Sequence, residues 1–364
     1  MNSSGFHYHM VILLGLCVVT FLLAACQTAE QRMMENEDLS PVNVDAEILT
    51  IGFYNVENLF DPIDDPKTAD DDFMPTGKMK WTSERFDTKL ENLARAIRLI
   101  NDNNGPDILG LCEVENRFVL ERLTNEFLPE GIYGIVHTDS PDGRGIDVAL
   151  IYRKSMMLYK GMKLHKVPLP SVERPTRGIL EVTLEKGGKF LTVLVNHWPS
   201  RSGGKVQTEP KRVIAATTAA SVIDSLTSHN PNADIVMIGD FNDEPSDASI
   251  RERLRGLEYP DGQEFDGRMI NLAVRPSRVD TIGSYLYRDS WLVLDQIMVS
   301  PGVLDENGLI LRDRAMTIFH PEFLRDYHPS QPLNPPRRTF VRGTLYIGGT
   351  SDHFPVFARF GWRE

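Results

Sequence analysis

Apolar residues recur along this chain in short bursts. Runs rich in Val, Ile and Leu stand at 47–56 (EILTIGFYNV), 107–114 (DILGLCEV), 146–153 (IDVALIYR), 178–184 (GILEVTL), 189–198 (KFLTVLVNHW), 234–241 (DIVMIGDF), 291–299 (WLVLDQIMV) and 354–360 (FPVFARF). Runs of this length and content predict strands buried on at least one face. Two segments follow a period of 3.6 instead. Phe86, Leu90, Leu93, Ala94, Ile97 and Ile100 form one stripe over 83–103, and Val213, Ala216, Ala220, Ile223 and Leu226 form another over 209–228. A third helix is expected at 116–127. Long helices among many strands predict layers in which helices cover sheets. No shift of composition divides 46–361, so one domain is expected there, with the Pro-rich segment 320–338 as a long functional loop.

The segment 10–26 (MVILLGLCVVTFLLAAC) differs from all of these. It is uncharged, of signal-peptide length, and shorter than the ~20 residues a spanning helix needs. Leu23-Ala24-Ala25-Cys26 resembles the lipobox of bacterial lipoproteins. That resemblance implies a signal peptide over 1–25, a lipidated Cys26, and a membrane-anchored protein facing the periplasm or cell exterior. Residues 26–45, polar and aperiodic, read as a tether. The alternative is an uncleaved anchor, which also puts the domain outside the cytoplasm. Of three cysteines only Cys112 then belongs to the domain. An intrachain disulfide and a cysteine-held zinc are excluded there.

Composition narrows the function. Of 364 residues 41% are apolar and 25% charged, which is enough for a large core, and the net charge of -12 argues against a protein that coats nucleic acid through a broad basic face. The residues at the ends of the apolar runs are more informative. Asn55 and Glu57 follow the first, Glu113, Glu115 and Asn116 the second, Asn196 and His197 the fifth, and Asp240 and Asn242 the sixth; Asp295 stands within the seventh, and Asp352 and His353 precede the last. Any one of these is an ordinary turn residue. Six together form a pattern, because strand ends on one side of a sheet converge. Oxygen ligands without cysteine favour a hard cation, Mg2+ or Mn2+, and two histidines beside it suit proton transfer or anion binding. Asp295 in an apolar strand is expensive unless paired with a His or Arg. No P-loop, HExxH or GxSxG is present, and the acidic run 61–72 lacks EF-hand spacing and reads as a solvated loop.

The ordered series YNVENLFD (54–61), LGLCEVEN (109–116), RGIDVALIYR (144–153), VNHWPSR (195–201), IGDFNDEP (238–245), LDQIMVS (294–300) and SDHFPV (351–356) resembles the motifs of the endonuclease/exonuclease/phosphatase superfamily. The resemblance runs over about 47–360. It implies an α+β fold, a four-layer αββα sandwich with two mixed sheets face to face and helices outside. It also implies a metal-dependent phosphoesterase. Carried over by residue, Glu113 is the principal metal ligand, with Asn55, Glu57 and Asp352 completing or bordering the site. Asp240 and Asn242 orient the water or metal, His353 and His197 contact the phosphate, and Asp295 holds His353. Glu57 stands where many members carry Asp, and its longer arm leaves direct and water-mediated coordination both open.

Local charge bears on the substrate. Residues 200–212 carry Arg201, Lys205, Lys211 and Arg212 against Glu209, and 335–342 carry three arginines and no acid. Arg144, Arg201 and Arg338 are therefore expected to bind substrate. A nuclease acting on nucleic acid is the simplest reading. A lipid or small-molecule phosphate is the alternative, because no long basic stripe with interleaved aromatics marks a nucleic-acid track. A non-catalytic ligand-binding lipoprotein ranks below both, since every position of the motif series is filled.

Overall fold

The computed structural model describes residues 46–305, 307–327 and 333–363; the expectations for the signal peptide, Cys26 and the tether lie outside the described residues. The first four strands are β1 (Glu47–Leu59), β2 (Ile108–Val114), β3 (Tyr133–His137) and β4 (Asp147–Arg153). Six more follow: β5 (Leu158–His165), β6 (Ile179–Lys186), β7 (Lys189–His197), β8 (Asp234–Asp240), β9 (Gly256–Leu257) and β10 (Met269–Asn271). The remainder are β11 (Tyr285–Tyr287), β12 (Ser290–Leu292), β13 (Asp295–Val299), β14 (Gly308–Leu311), β15 (Thr317–Ile318), β16 (Phe340–Val341), β17 (Leu345–Tyr346) and β18 (Val356–Arg363). One sheet runs β14-β18-β1-β2-β4-β3, with β15 beside β18, and the other runs β5-β6-β7-β8-β13-β10-β9. Both are mixed: β1–β2 and β7–β8 are parallel, and β1–β18 and β8–β13 antiparallel. Strands β11–β12 and β16–β17 form separate hairpins.

Period-2 alternation makes the layers. In β8, Val236 and Ile238 join the core that also holds Phe53, Leu109 and Leu111 of the first sheet, while Ile235 and Met237 face a second cluster with Ala215, Ala216 and Ala219. In β13, Ile297 and Val299 go inward and Met298 outward. The sheets approach closely at Gly110, where a Cβ would stand 2.6 Å from Ile238 Cδ1. Helix α1 (Ser83–Asn103) adds Phe86, Leu90, Leu93 and Ile97 to the first core. Thr82 caps it by accepting from the Arg85 amide at 3.4 Å, and its regular turns stop at Ile100, after which Asn101 and Asp102 take φ of 55° and 54°. A short α2 (Arg117–Arg122) follows β2, and the long α3 (Lys205–His229) covers the second sheet.

Some expectations shift. Helix α3 starts a turn earlier than its apolar stripe, before Pro210, and buries Ala215, Ala216, Ala219, Ala220 and Ile223, while Val213 and Leu226 are half-buried. Small residues let the helix sit close, which hydrophobicity alone undervalues. The run 291–299 breaks into β12 and β13 around Val293-Leu294. The acidic run 61–72 is not wholly solvated: Asp61 and Asp70 are buried, Asp61 accepting from Asn116 Nδ2 at 3.0 Å and Asp70 from the Asp65 amide at 3.0 Å.

Candidate active site

Topology brings the strand ends together. Parallel pairing aligns the C-terminal ends of β1 and β2, with Asn55 opposite Cys112, and those of β7 and β8, with His197 opposite Asp240. Antiparallel pairing sets the start of β13 there too, Asp295 opposite Asp240, and puts the approach to β18 beside the end of β1, Phe53 opposite Val356. The six runs that end in Asn, Asp, Glu or His thus converge at one edge of the sandwich. Glu57, Glu113 and Asn242 hold positive φ of 46°, 62° and 51°. Such backbone costs about 1 kcal/mol or more for a side chain with a Cβ, and here it turns three polar groups at the strand ends.

At the centre Asp295 Oδ2 lies 2.6 Å from His353 Nδ1, both groups buried. The backbone amides of Leu294 and Asp295 donate to Ser284 Oγ, each at 3.1 Å, and the His353 amide donates to Ser351 Oγ at 3.0 Å, so both residues are anchored on their main chains. Tyr285 lies against the imidazole, ring centroids 4.7 Å apart. Burial alone would pull the His353 pKa down, but the charge and hydrogen bond of Asp295, with Asp240 and Asp352 behind, hold it well above the ordinary histidine value. Its Nε2 is 3.9 Å from Asp240 Oδ2. Asp240 accepts from the Asn242 amide at 2.9 Å and Asn55 Nδ2 at 3.1 Å. Burial pushes its pKa up to about 6 against the charge of His353. His197 Nε2 is 3.8 Å from Asp240 and 3.9 Å from Glu113, and burial, then Arg177 and Arg144, hold its pKa well below the usual value. The two histidines flank one aspartate, and their pKa values are displaced in opposite directions.

Acids gather beyond Asp240. Glu113 accepts from Asn55 Nδ2 at 3.2 Å and the Asn58 amide at 2.8 Å. Glu57 is buried and accepts from the Thr339 amide at 2.6 Å; burial, then the charge of Asp352, push its pKa up to about 7 against Lys89. Lys89, buried on the apolar face of α1, donates to the Glu57 carbonyl and to Thr339 Oγ1. Asp352 is 3.4 Å from Arg338 and 4.0 Å from His353 Nε2. An oxygen-only set in which buried Glu57 is pushed up by burial and by the charge of Asp352 fits a hard divalent cation: Glu113 would hold it, with Asn55, Glu57 and Asp352 around. Cation binding should then expel the Glu57 proton. Titration calorimetry in buffers of different ionisation enthalpy should find close to one proton released per Mg2+ at pH 6 and almost none at pH 8. Equal release at both pH values would overturn the cation's placement beside Glu57.

The expected substrate arginines separate. Arg201 donates to the Asn242 carbonyl at 2.7 Å and Asp247 Oδ2 at 2.8 Å, and Lys205 pairs with Asp247, Lys211 with Glu173, and fully buried Arg212 with Asp243 at 2.7 Å. The basic segment 200–212 is therefore neutralised by partners and braces the Asp240–Asn242 loop instead of offering a cationic surface. Arg144 pairs with Asp142, which also takes buried Arg177 at 2.9 Å; Arg144 itself stays half exposed and near enough to act on His197. Arg338 remains on the metal side, beside Asp352 and hydrogen-bonded to Tyr285. Asn196 is structural, donating to the Leu194 and Ile238 carbonyls. Sequence patterning alone misses Lys89, Ser284, Tyr285 and Thr339. For Lys89 the available sign was a cation among the apolar positions of α1; the other three lie in loops without a pattern.

A four-layer sandwich that converges acids, amides and two histidines on one edge defines the class of metal-dependent phosphate-ester hydrolases. The pattern of the Endonuclease/Exonuclease/phosphatase family matches residues 50–361, and the chain belongs to that family. Similar solved structures agree on the fold. A family protein from Bacteroides thetaiotaomicron is 16% identical, with a TM-score of 0.52 over 88% of this chain and 99% of that one. TDP2 of D. rerio, complexed with single strand DNA product, is 15% identical with a TM-score of 0.52 over 86% and 98%. A mannosyl-6-phosphatase of B. thetaiotaomicron is 16% identical with a TM-score of 0.51 over 86% and 99%. No curated protein sequence matches.

Proposed function

We propose that this protein is a Mg2+- or Mn2+-dependent phosphodiesterase acting on nucleic acid, a nuclease. The observation that carries the reading is the buried row Asp295–His353–Asp240 beside the carboxylate of Glu113. Glu113, with Asn55, Glu57 and Asp352 around it, would hold a divalent cation, which would supply positive charge to offset that of the phosphate and its leaving oxygen. The chain's own residues do the rest. Asp240, fixed through Asn55 and the Asn242 amide, orients the attacking water and takes its proton. His353, charged and held at Nδ1 by Asp295, donates from Nε2 to a phosphoryl oxygen as charge builds there. His197, uncharged, lines the opposite side of Asp240. Arg338, paired with Asp352 at 3.4 Å, borders the phosphate site.

The TDP2 structure with single strand DNA product supports the nucleic-acid substrate. A small-molecule phosphate is the second reading, favoured by the likeness to the mannosyl-6-phosphatase. The protein should be tested with Mg2+ and with Mn2+ against single-stranded and duplex DNA, RNA, sugar phosphates and phospholipids. Cleavage of sugar phosphates alone would establish the second reading. Undiminished turnover in excess EDTA would refute both.

Lipid anchoring through Cys26, on a membrane facing the periplasm or cell exterior, belongs to the same proposal. Its support is the uncharged run ending in Leu-Ala-Ala-Cys. Cells given labelled fatty acid should label this protein, and Cys26→Ala should remove the label. An unlabelled wild type would show that the motif is not processed.

A further inference from the structure

Two hairpins outside the sandwich, β11–β12 and β16–β17, border one pocket of about 320 Å3, lined by Leu286, Arg288, Arg338, Val341, Arg342 and Asp352 among others. Asp352 also belongs to the candidate metal site, so the pocket adjoins the reacting phosphate. Its size is at the lower end for small-ligand sites, enough for one nucleotide-sized group.

Arginine stands where turn geometry least favours it. Arg288 opens the two-residue turn of the first hairpin with φ 47°, followed by Asp289 at 66°. Arg342 opens the three-residue turn of the second with φ 49°, followed by Gly343 at 85°. Such positions are ordinarily filled by Gly, Asn or Asp, which tolerate positive φ. Here both tips carry an arginine, both exposed, and both line the same pocket, where Arg338 is the third. Three carboxylates share it. Asp352 faces the cation site and Asp326 accepts from the Tyr327 amide, while Asp289 has an interaction of its own. Tyr287, between the lining residues Leu286 and Arg288 in the chain, is 50% exposed, and the Arg288 guanidinium lies over its ring at 5.2 Å from the centroid. An exposed tyrosine topped by arginine is a stacking platform for a nucleobase.

Resting on the phosphodiesterase reading, we propose that this pocket holds the nucleotide next to the scissile phosphate of a single-stranded nucleic acid. Its own phosphate sits on Arg288, Arg338 and Arg342. Its base stacks at Tyr287, and Leu286 and Val341 meet the sugar. A long acyl chain finds no extended apolar groove in this lining, and a lone phosphomonoester makes no use of the two hairpin arginines.

The test compares Arg288→Gln, Arg342→Gln and Tyr287→Ala with wild type on two substrates, a short single-stranded oligonucleotide and bis(p-nitrophenyl) phosphate, which has no neighbouring nucleotide. Each substitution should lower kcat/KM on the oligonucleotide about tenfold, the size of one charge-assisted contact or one stacked base, and leave the small diester within about twofold. Oligonucleotide binding, followed by fluorescence anisotropy in EDTA, should weaken in parallel. Equal losses on both substrates, or none on either, overturn the proposal. So does a wild type that splits the small diester but neither cuts nor binds the oligonucleotide; the phosphodiesterase reading then stands. A wild type that cuts neither substrate ends that reading, and the pocket is judged on binding alone: a loss in all three variants supports it, and an unchanged affinity overturns it.

Discussion

Replacing Glu113 with alanine should lower turnover by ~10³-fold or more while the fold survives. The two effects separate because of where Glu113 sits. Its carboxylate is at the open edge of the sandwich, not in the core, and its side chain keeps 18% of its exposure. Alanine loses the acceptances from Asn55 and the Asn58 amide, worth about 1 kcal/mol each. The backbone at φ 62° is no worse for alanine than for glutamate. A cation's charge at the phosphate is a larger effect, several kcal/mol, and each 1.36 kcal/mol is about tenfold in rate. Calorimetric Mg2+ titration, turnover on one diester and circular dichroism decide it. Glu113→Gln is the companion: it keeps the shape and loses the charge, so it should resemble Glu113→Ala in rate. A glutamine variant within tenfold of wild type would show that the charge of Glu113 is not what the reaction needs, and the metal site would have to be moved.

The groups at strand ends were legible in the sequence because a strand is a rigid, countable object. Asp240, Asn242 and His197 follow runs whose length and alternation fix both their place and the face they present. Asp295 could be suspected of a partner because an isolated carboxylate in an apolar strand is too costly. The arginines were legible only in part: Arg338 does stand beside Asp352, but the cations of 200–212 do not face a substrate. A charge count over 200–212 sees four cations and one acid, but Asp243, Glu244 and Asp247 stand more than thirty positions on, and only the turn after β8 brings them to Arg201, Lys205 and Arg212. Arg342 is counted in the basic segment 335–342 and Arg288 not at all, since nothing in either segment announces that two hairpins meet over one pocket. Lys89 shows the same limit within a helix. The 3.6 period says which face is buried, and the partners that make a buried cation tolerable, the Glu57 carbonyl and Thr339, come from far along the chain.

The pair Asp295 and His353 should behave as one unit in activity and in opposition in stability. Asp295→Asn and His353→Ala are each expected to lower turnover by roughly 10²–10⁴, the reach of an acid–base or anion-stabilising group. The double variant should be little slower than His353→Ala, because once the imidazole is gone its orienter has nothing to orient. Stability should run the other way. In His353→Ala the fully buried Asp295 loses the partner 2.6 Å away, and its Oδ1 already has none among the described residues. An unpaired buried carboxylate costs several kcal/mol. Replacing that carboxylate with the neutral amide of Asn removes the buried charge. The double variant should therefore melt higher than His353→Ala at pH 7. Turnover and melting curves of all three variants at that pH carry the test. Losses in rate that multiply in the double variant would mean that the two residues act separately. A double variant no more stable than His353→Ala at pH 7 would mean that Asp295 is not held as an anion by that histidine.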